Sequence, residues 1–306
     1  MRTCRSCSNA TGGHDDAGLA DGIAGMQWWC SAQGQPWDWT WRPYVGVWLL
    51  LALIAAAYVA LRRRSGSTEP EDGDDRRRTV YFVAGLLLLW GALDWPLGPL
   101  GASYLASAHV TQFILAGLVA PGLVLMGIPR GAFAAIGRRP TLHAFLRDVT
   151  HPVPAFVIFN VGMTVTHWPG VVDAAMATQA GAFALDMAWV ACGVIFWWPV
   201  LAPVPARPAF HPLLKIGYLA LNGILIRPPF AMMLFSEYPI YSIYELAPPL
   251  PGTSPLQDQQ FAGAIMKVVT AWVMAVAAFF IFREWKRTSE LEAASTSGSG
   301  PTTGSL

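Results

Sequence analysis

The stretch LASAHVTQFILAGLVAPGLVLMG, residues 105–127, contains no Asp, Glu, Lys or Arg. Its length is that of a helix crossing the hydrocarbon of a bilayer, which takes about 20 predominantly apolar residues. Because lipid offers no hydrogen-bond partners to backbone N–H and C=O groups, such a segment crosses as a helix that pairs them internally. The stretch therefore predicts a membrane-spanning α-helix.

Apolar blocks of the same kind recur along the chain, which gives seven candidate spans. They lie at about 44–61, 80–93, 105–127, 153–168, 180–200, 214–235 and 259–282. The chain is 54% hydrophobic and only 13% charged, about half the charge of a soluble protein. The predicted fold class is all-α, a polytopic integral membrane helix bundle of about seven transmembrane helices. Its surroundings are the lipid bilayer, and no surface suits a nucleic acid.

Proline and polar residues divide the chain further. We predict that residues 1–43 are an extracytoplasmic, largely disordered leader, 44–285 the seven-helix transmembrane domain, and 286–306 a disordered cytoplasmic tail. Within the sixth span, Pro228-Pro229 predicts a kink or break because each proline lacks a backbone donor. Cys4-Arg-Ser-Cys7 has the spacing of a metal or redox motif, but a single pair is a weak signal. A disordered leader, or a true start at Met26, is the competing interpretation.

Basic residues predict the orientation, since cytoplasmic loops retain Lys and Arg. The segments after spans two, four and six contain neither residue, whereas those after spans one, three, five and seven are basic. The basic residues are Arg62, Arg63, Arg64, Arg76, Arg77, Arg78, Arg130, Arg138, Arg139, Arg147, Arg207, Lys215, Arg283, Lys286 and Arg287. Only Arg2, Arg5 and Arg42 oppose them. The alternation predicts an outer N-terminus and a cytoplasmic C-terminus.

With this orientation, six polar residues from five spans converge near the outer face of the membrane. They are Asp94, His109, Gln112, His167, Asp186 and Asp258. Ionisable groups inside spans are costly, which makes them candidates for function. Imidazoles beside carboxylates and amides suit a divalent or copper ion, and a thioether such as Met163, one helical turn before His167, favours Cu(I). We therefore predict a metal site built from these six residues.

Other interpretations of the same residues stay open. Asp94, His167 and Asp258 lie at helix ends, where capping and solvation explain a polar residue, and Asp258 suits the positive end of the seventh helix. His109 could be a polar contact between helices. We expect Asn160 and Asn222 to form hydrogen bonds between the fourth and sixth spans. Arg227 lies deep in the sixth span. We expect its side chain either to snorkel toward the membrane surface or to pair with a carboxylate.

Several short motifs, in this order, resemble the CtaG-type assembly factors of bacterial caa-type cytochrome c oxidases. They run from about residue 80 to 285, nearly the whole membrane part. The motifs are Ser107-Ala108-His109-Val110-Thr111-Gln112, Ala120-Pro121, Gly127-Ile128-Pro129, Phe159-Asn160, His167-Trp168-Pro169, Phe196-Trp197-Trp198-Pro199-Val200 and Asp258-Gln259-Gln260-Phe261-Ala262-Gly263. The leader and the tail fall outside the resemblance.

The resemblance implies a multi-pass assembly factor of a bacterial plasma membrane, not an enzyme. It implies cytochrome c oxidase subunits as partners and copper as the metal, which family members help to place beside the haem of the oxidase. Carried over by position, His109, Gln112, His167, Asp258 and Gln260 match the family's polar motifs. Two positions depart from it: Phe113 and Asp186 stand where the family commonly has histidines.

Two further functions are compatible with a polytopic bundle. A transporter of small solutes or ions is expected to show a midplane site, broken helices and internal repeats. Pro228-Pro229 provides a break, but no internal repeat is visible. A haem-binding membrane cytochrome would use His109 and His167 as axial ligands. A hydrolase is disfavoured because the sequence has neither G-x-S-x-G nor H-E-x-x-H.

Overall fold

Helices make up all the regular structure in the described part of the chain. The computed structural model describes residues 27–64, 72–129, 131, 140–202, 210–225 and 227–297 of the 306. Five helices are long and apolar enough to cross a membrane, and the number rises to seven when each of two bent helix pairs counts as one span. The predicted fold class, an all-α polytopic bundle, is confirmed.

We number the α-helices in chain order. They are α1 (Val45–Arg64), α2 (Asp72–Leu93), α3 (Leu97–Ser103), α4 (Ala106–Phe113), α5 (Ala120–Gly127), α6 (Pro140–Val149), α7 (Pro152–Thr166), α8 (Pro169–Met176), α9 (Gln179–Leu201), α10 (Pro212–Ile224), α11 (Pro228–Phe235), α12 (Ser242–Glu245) and α13 (Pro255–Ser297). A π-helix, Ile114–Val119, joins α4 to α5.

The stretch that first predicted a span is the centre of the bundle. Buried residues make up 67% of the apolar window of Ala106–Gly127 but only 11% of that of α1. The π-helix packs against α9 and α2, and a Cβ on Gly193 of α9 would collide with the Gly117 carbonyl oxygen. Glycine at this crossing lets two backbones approach closely, as small residues do in membrane helix pairs.

Prolines divide three of the spans. The axes of α2 and α3 differ by 43°, with Pro96 at the bend, and those of α6 and α7 by 69°, with Pro152 beginning the second helix. In the sixth span α10 ends at Ile224 and α11 begins at Pro228. The break predicted from Pro228-Pro229 is confirmed.

The two ends of the described chain make specific contacts. Residues 27–43, assigned to a largely disordered leader, lie against the bundle, with Trp29 and Cys30 buried. Helix α13 continues past residue 285 to Ser297, and the pairs Glu284–Arg287 and Lys286–Glu290 lie at helical spacing along it.

Some predictions concern residues outside the described part. The predicted orientation of the chain in the membrane depends in part on basic residues outside the described part, so it stays a prediction. The residues concerned are Cys4, Cys7, Met26, Arg2, Arg5, Arg130, Arg138, Arg139, Arg207 and 298–306.

Candidate functional site

Two buried imidazoles form the centre of the candidate site. His109 lies in α4 and is 3% exposed, and His167 caps the C-terminus of α7 and is 1% exposed. Their ring centroids are 5.6 Å apart. His167 Nδ1 lies 2.9 Å from the Met163 carbonyl oxygen, which leaves His167 Nε2 without a hydrogen-bond partner. Neither ring nitrogen of His109 makes a hydrogen bond of ordinary geometry, although the Gly101 carbonyl faces this ring.

Aromatic side chains enclose the pair. The Trp189 indole of α9 lies with its ring centroid 4.9 Å from that of His109 and 5.5 Å from that of His167. Phe113 contacts the His167 ring at 4.7 Å, and Tyr244 contacts the His109 ring at 6.0 Å. These rings exclude water from the imidazoles, so that electrostatic interactions are stronger here than at the surface.

A hydrogen-bonded chain runs beside the imidazoles. Gln112 shares the helix face of His109 and donates from Nε2 to Asp186 Oδ1 over 3.3 Å. Asp186, seven residues into α9, accepts a second hydrogen bond at Oδ2 from Trp29 Nε1 over 2.8 Å. All three side chains are at most 2% exposed. The third and fifth spans therefore meet through Gln112 and Asp186, and Trp29 of the leader joins them.

Glycine makes this approach possible. A Cβ on Gly101 of α3 would lie 2.7 Å from Gln112 Oε1 and 3.0 Å from His109 Cα. The Gly101 carbonyl also accepts a hydrogen bond from Tyr244 Oη over 2.7 Å. Helix α3 therefore forms a close wall of the site.

Asp94 follows α2 and is fully buried. Its Oδ2 accepts a hydrogen bond from Trp90 Nε1 over 2.8 Å, and its Oδ1 has no partner in the described part of the protein. Its backbone carbonyl accepts from Gly98 N and so joins α2 to α3. Asp94 is consequently both part of the bend and a free acceptor.

Asp258 has a different role from the other predicted ligands. Its Oδ2 accepts from Ser107 N over 3.2 Å, and its Oδ1 accepts from Ser107 Oγ. Ser107 is in the first turn of α4, whose N-cap residue, Leu105, makes no side-chain cap. The carboxylate of α13 therefore caps the helix that carries His109, rather than its own helix as the sequence had suggested.

Two tyrosines from the segment between α11 and α13 also line the site. Tyr241 Oη donates to the His167 carbonyl oxygen over 2.7 Å, as Tyr244 does to that of Gly101. Burial raises the pKa of both phenols, and nearby Asp173 adds to the shift for Tyr241. Both hydroxyls therefore remain protonated donors near neutral pH.

The site contains several buried polar atoms without partners. These are Asp94 Oδ1, His109 Nδ1, His109 Nε2, Gln112 Oε1, His167 Nε2 and Trp189 Nε1. Buried polar groups are nearly always paired, so a concentration of exceptions indicates a place for water, an ion or a ligand. Within the described residues, however, no group of three or more His, Cys, Asp and Glu side chains could hold a metal ion. The six predicted ligands thus lie in one region without forming a ready-made coordination sphere.

A second polar cluster lies where the sixth span is broken. Asn160 donates to Asn222 over 3.0 Å, as predicted. Arg227 is 4% exposed and donates to Asn160 Oδ1 over 2.7 Å and to the Asn222 carbonyl over 2.9 Å. The expectation of a carboxylate partner or of snorkelling for Arg227 is wrong. Lys267 donates to carbonyl oxygens at the end of α10, so both cations pair groups that the break leaves free.

Several residues of the site were not predicted from the sequence. Trp189, Tyr244 and Gly101 look like ordinary apolar or loop residues, and Trp29 belongs to a leader with no helical or strand periodicity. Lys267 is a single charge within an otherwise apolar span, and costly intramembrane charges are the one signal that could have found it.

A comparison with protein families identifies one match. The model for the cytochrome c oxidase caa3 assembly factor (Caa3_CtaG) matches residues 52–288. The match covers the spans, both imidazoles and the second polar cluster, and it begins after the ordered leader. Comparisons with curated proteins and with solved structures find no match.

Proposed function

This chain belongs to the cytochrome c oxidase caa3 assembly factors, and from that premise we propose that it holds copper in transit at the His109–His167 site. The ion is cargo delivered to the oxidase, not a resident cofactor. The protein then does no chemistry of its own beyond binding and release. Its partners are oxidase subunits in the same bacterial plasma membrane.

The observation that carries the proposal is the pair of buried imidazoles with three unpartnered ring nitrogens. Imidazole is a good ligand for copper, and metal–imidazole bonds are about 2 Å long. With ring centroids 5.6 Å apart, the two rings are close to the separation at which one ion contacts both. The unpaired oxygens of Gln112 and Asp94 add acceptors that favour a cation over an anion.

The small ligand number supports transfer rather than storage. An assembly factor must release its ion to the oxidase, and a complete set of three or four protein ligands would slow that release. Two imidazoles in a dry aromatic enclosure can hold an ion while leaving positions for ligands of the acceptor. Phe113 and Asp186, which replace common family histidines, fit such a reduced set.

The orientation belongs to the same proposal. With the N-terminus outside, the site opens toward the periplasm or cell exterior, where copper arrives. The packing does not favour the haem alternative. Both imidazoles contact the Trp189 indole and each contacts another aromatic ring, so aromatic side chains already fill the space beside them.

The test is copper stoichiometry of the purified, detergent-solubilised protein after Cu(I) loading and removal of free ion. We expect about one copper per wild-type chain and none in the double variant His109→Ala/His167→Ala. His143→Ala, a histidine of α6 outside the site, is the matched control and should bind as wild type does. Loss in the control as well, or full retention in the double variant, would rule out this site.

A cellular assay tests the role in assembly. His109→Ala should reach normal levels in the membrane while oxidase activity falls to that of a deletion strain. Normal maturation at normal protein level would remove the imidazole pair from the mechanism and favour direct docking on the oxidase.

A further inference from the structure

The described part of the leader packs against helices that line the site. On one side, the Gln179 side chain accepts hydrogen bonds from Trp28 N over 2.7 Å and Trp29 N over 3.2 Å, and Ala32 N donates to the Met176 carbonyl. These contacts attach it to α8 and α9. We name residues 27–42 the strap.

The other side of the strap is attached to α2 and α3. Cys30 Sγ donates to the Leu93 carbonyl over 3.3 Å, Gln33 N donates to Ser103 Oγ over 3.1 Å, and Ser103 Oγ donates to the Ser31 carbonyl. Since α3 carries Gly101 and α9 carries Trp189 and Asp186, the strap joins two helices that line the site.

Trp29 is the deepest residue of the strap. It is 0% exposed, its ring packs edge-on against Phe183 at 5.0 Å, and its Nε1 donates to Asp186. Asp186 is in turn bound to Gln112, next to His109 on α4. The indole therefore contacts the same carboxylate that forms part of the site.

The strap differs from the rest of the enclosure in how it is held. It contains no helix and is held by hydrogen bonds and by the buried residues Trp29, Cys30 and Ser31 at its start, while Trp39 and Trp41 farther along are 70% and 55% exposed. It also lies before the region that the family model matches. A segment outside the helices, attached to them by contacts that can break together, can open locally without unfolding of the bundle.

We propose that the strap is a lid over the imidazole site, with the Trp29–Asp186 hydrogen bond as its latch. The inference rests on the proposed function, because the lid controls passage of the same cargo. When the latch opens, Trp29 leaves the wall between α3 and α9, and copper can enter or leave. When it closes, water is excluded from the imidazoles.

Cys30 provides a built-in reporter of lid opening. It is 2% exposed and adjoins the latch. Burial, and to a smaller extent Asp186 and Asp94, raises the pKa of its thiol, so that it reacts with a maleimide only after the strap lifts. Replacing the other three cysteines, Cys4, Cys7 and Cys192, by Ser leaves Cys30 as the single thiol.

The experiment measures the rate of maleimide labelling of this protein in detergent at pH 7, where membrane orientation does not matter. Trp29→Phe keeps an aromatic ring but removes the donor, and we expect labelling about tenfold faster, because a buried hydrogen bond is lost and Asp186 Oδ2 is left without its partner. Trp41→Phe is the matched control and should label at the wild-type rate. Gln179→Ala removes the acceptor of Trp28 N and Trp29 N but leaves the Trp29 indole and its hydrogen bond to Asp186 in place, and should also accelerate labelling.

Combining Trp29→Phe with Asp186→Leu checks the latch itself. Because both changes break the same hydrogen bond, the double variant should label no faster than the faster single variant, as expected for residues in contact. If the increases in labelling rate of the two single variants instead multiply in the double variant, Trp29 and Asp186 act separately, and the latch is overturned.

Two other results would overturn the lid. One is Cys30 in the otherwise wild-type strap reacting as fast as the introduced thiol of Cys30→Ser/Trp41→Cys, at a position that is 55% exposed. The other is faster labelling in Trp29→Phe with an unchanged rate of Cu(I) uptake. Failure of the proposed function looks different: no copper would bind to any variant, while the labelling rates would still differ between Trp29→Phe and Trp41→Phe.

Discussion

Replacing Asp258 separates a capping role from a ligand role. In Asp258→Ala the first turn of α4 loses the acceptor of Ser107 N and of Ser107 Oγ. An N-terminal cap contributes about 0.5–2 kcal/mol, and a hydrogen bond between membrane helices about 0.6 kcal/mol, up to 1.7. Since Asp258 is only 7% exposed, solvent does not replace these bonds. We therefore expect the free energy of unfolding to fall by about 2 kcal/mol.

Two companion variants make the assignment specific. Ser107→Ala removes the hydroxyl but keeps the backbone donor, and should cost about 1 kcal/mol. Asp258→Asn keeps an oxygen for Ser107 N and offers its NH₂ group to Ser107 Oγ, so it loses mainly the charge and should be milder than Asp258→Ala. The combination Ser107→Ala/Asp258→Ala should cost little more than Asp258→Ala alone, because the serine hydroxyl has already lost its partner.

The assay is unfolding in mixed micelles titrated with SDS and followed by circular dichroism, with Cu(I) stoichiometry measured on the same samples. For Asp258→Asn we expect unchanged copper stoichiometry. Unchanged stability in Asp258→Ala, together with lost copper in Asp258→Asn, would refute the capping role and return Asp258 to the set of metal ligands predicted from the sequence.

Two further predictions concern close contacts elsewhere. Arg227→Met leaves acceptors in the membrane interior unpaired and should lower the free energy of unfolding by about 2–4 kcal/mol. A double-mutant cycle with Asn160→Ala should give a coupling energy above about 0.5 kcal/mol, and strict additivity would mean that the 2.7 Å contact contributes nothing. Gly101→Ala places a Cβ against Gln112 Oε1 and should destabilise by about 1–3 kcal/mol and weaken Cu(I) binding. Gly91→Ala, which has open space around it, is its control; equal effects of the two would show that the fit between α3 and α4 is loose.

The spans could be predicted from the sequence because each is a long apolar block whose helical state is imposed by lipid. The break in the sixth span followed from Pro228-Pro229 for a similarly local reason. The predicted order of polar residues also placed His109 and His167 in one region, since alternate spans bring alternate helix ends to the same face.

Contacts made across great sequence distance could not be predicted in this way. Trp29 and Asp186 are separated by 157 positions, and nothing in the polar, Gly-containing leader marks one tryptophan as buried. Asp258 could be assigned to a helix end, but that it caps α4 rather than its own helix depends on how α13 crosses α4. Both contacts depend on how distant segments pack together, and the local periodicity of a single sequence does not report that packing.

The two buried polar clusters differ in whether all of their side-chain nitrogens and oxygens have hydrogen-bond partners. In the cluster of Asn160, Asn222, Arg227 and Lys267, no buried side-chain nitrogen or oxygen is without a partner. Its cations replace backbone donors that the break removed, so nothing further is needed to balance its burial. The cluster around His109 and His167 is equally buried, yet ring nitrogens, an amide oxygen and a carboxylate oxygen remain unpaired there. Since an unpaired buried polar group costs about 1–3 kcal/mol, the cluster around His109 and His167 is the one in which water, an ion or a ligand would supply missing partners.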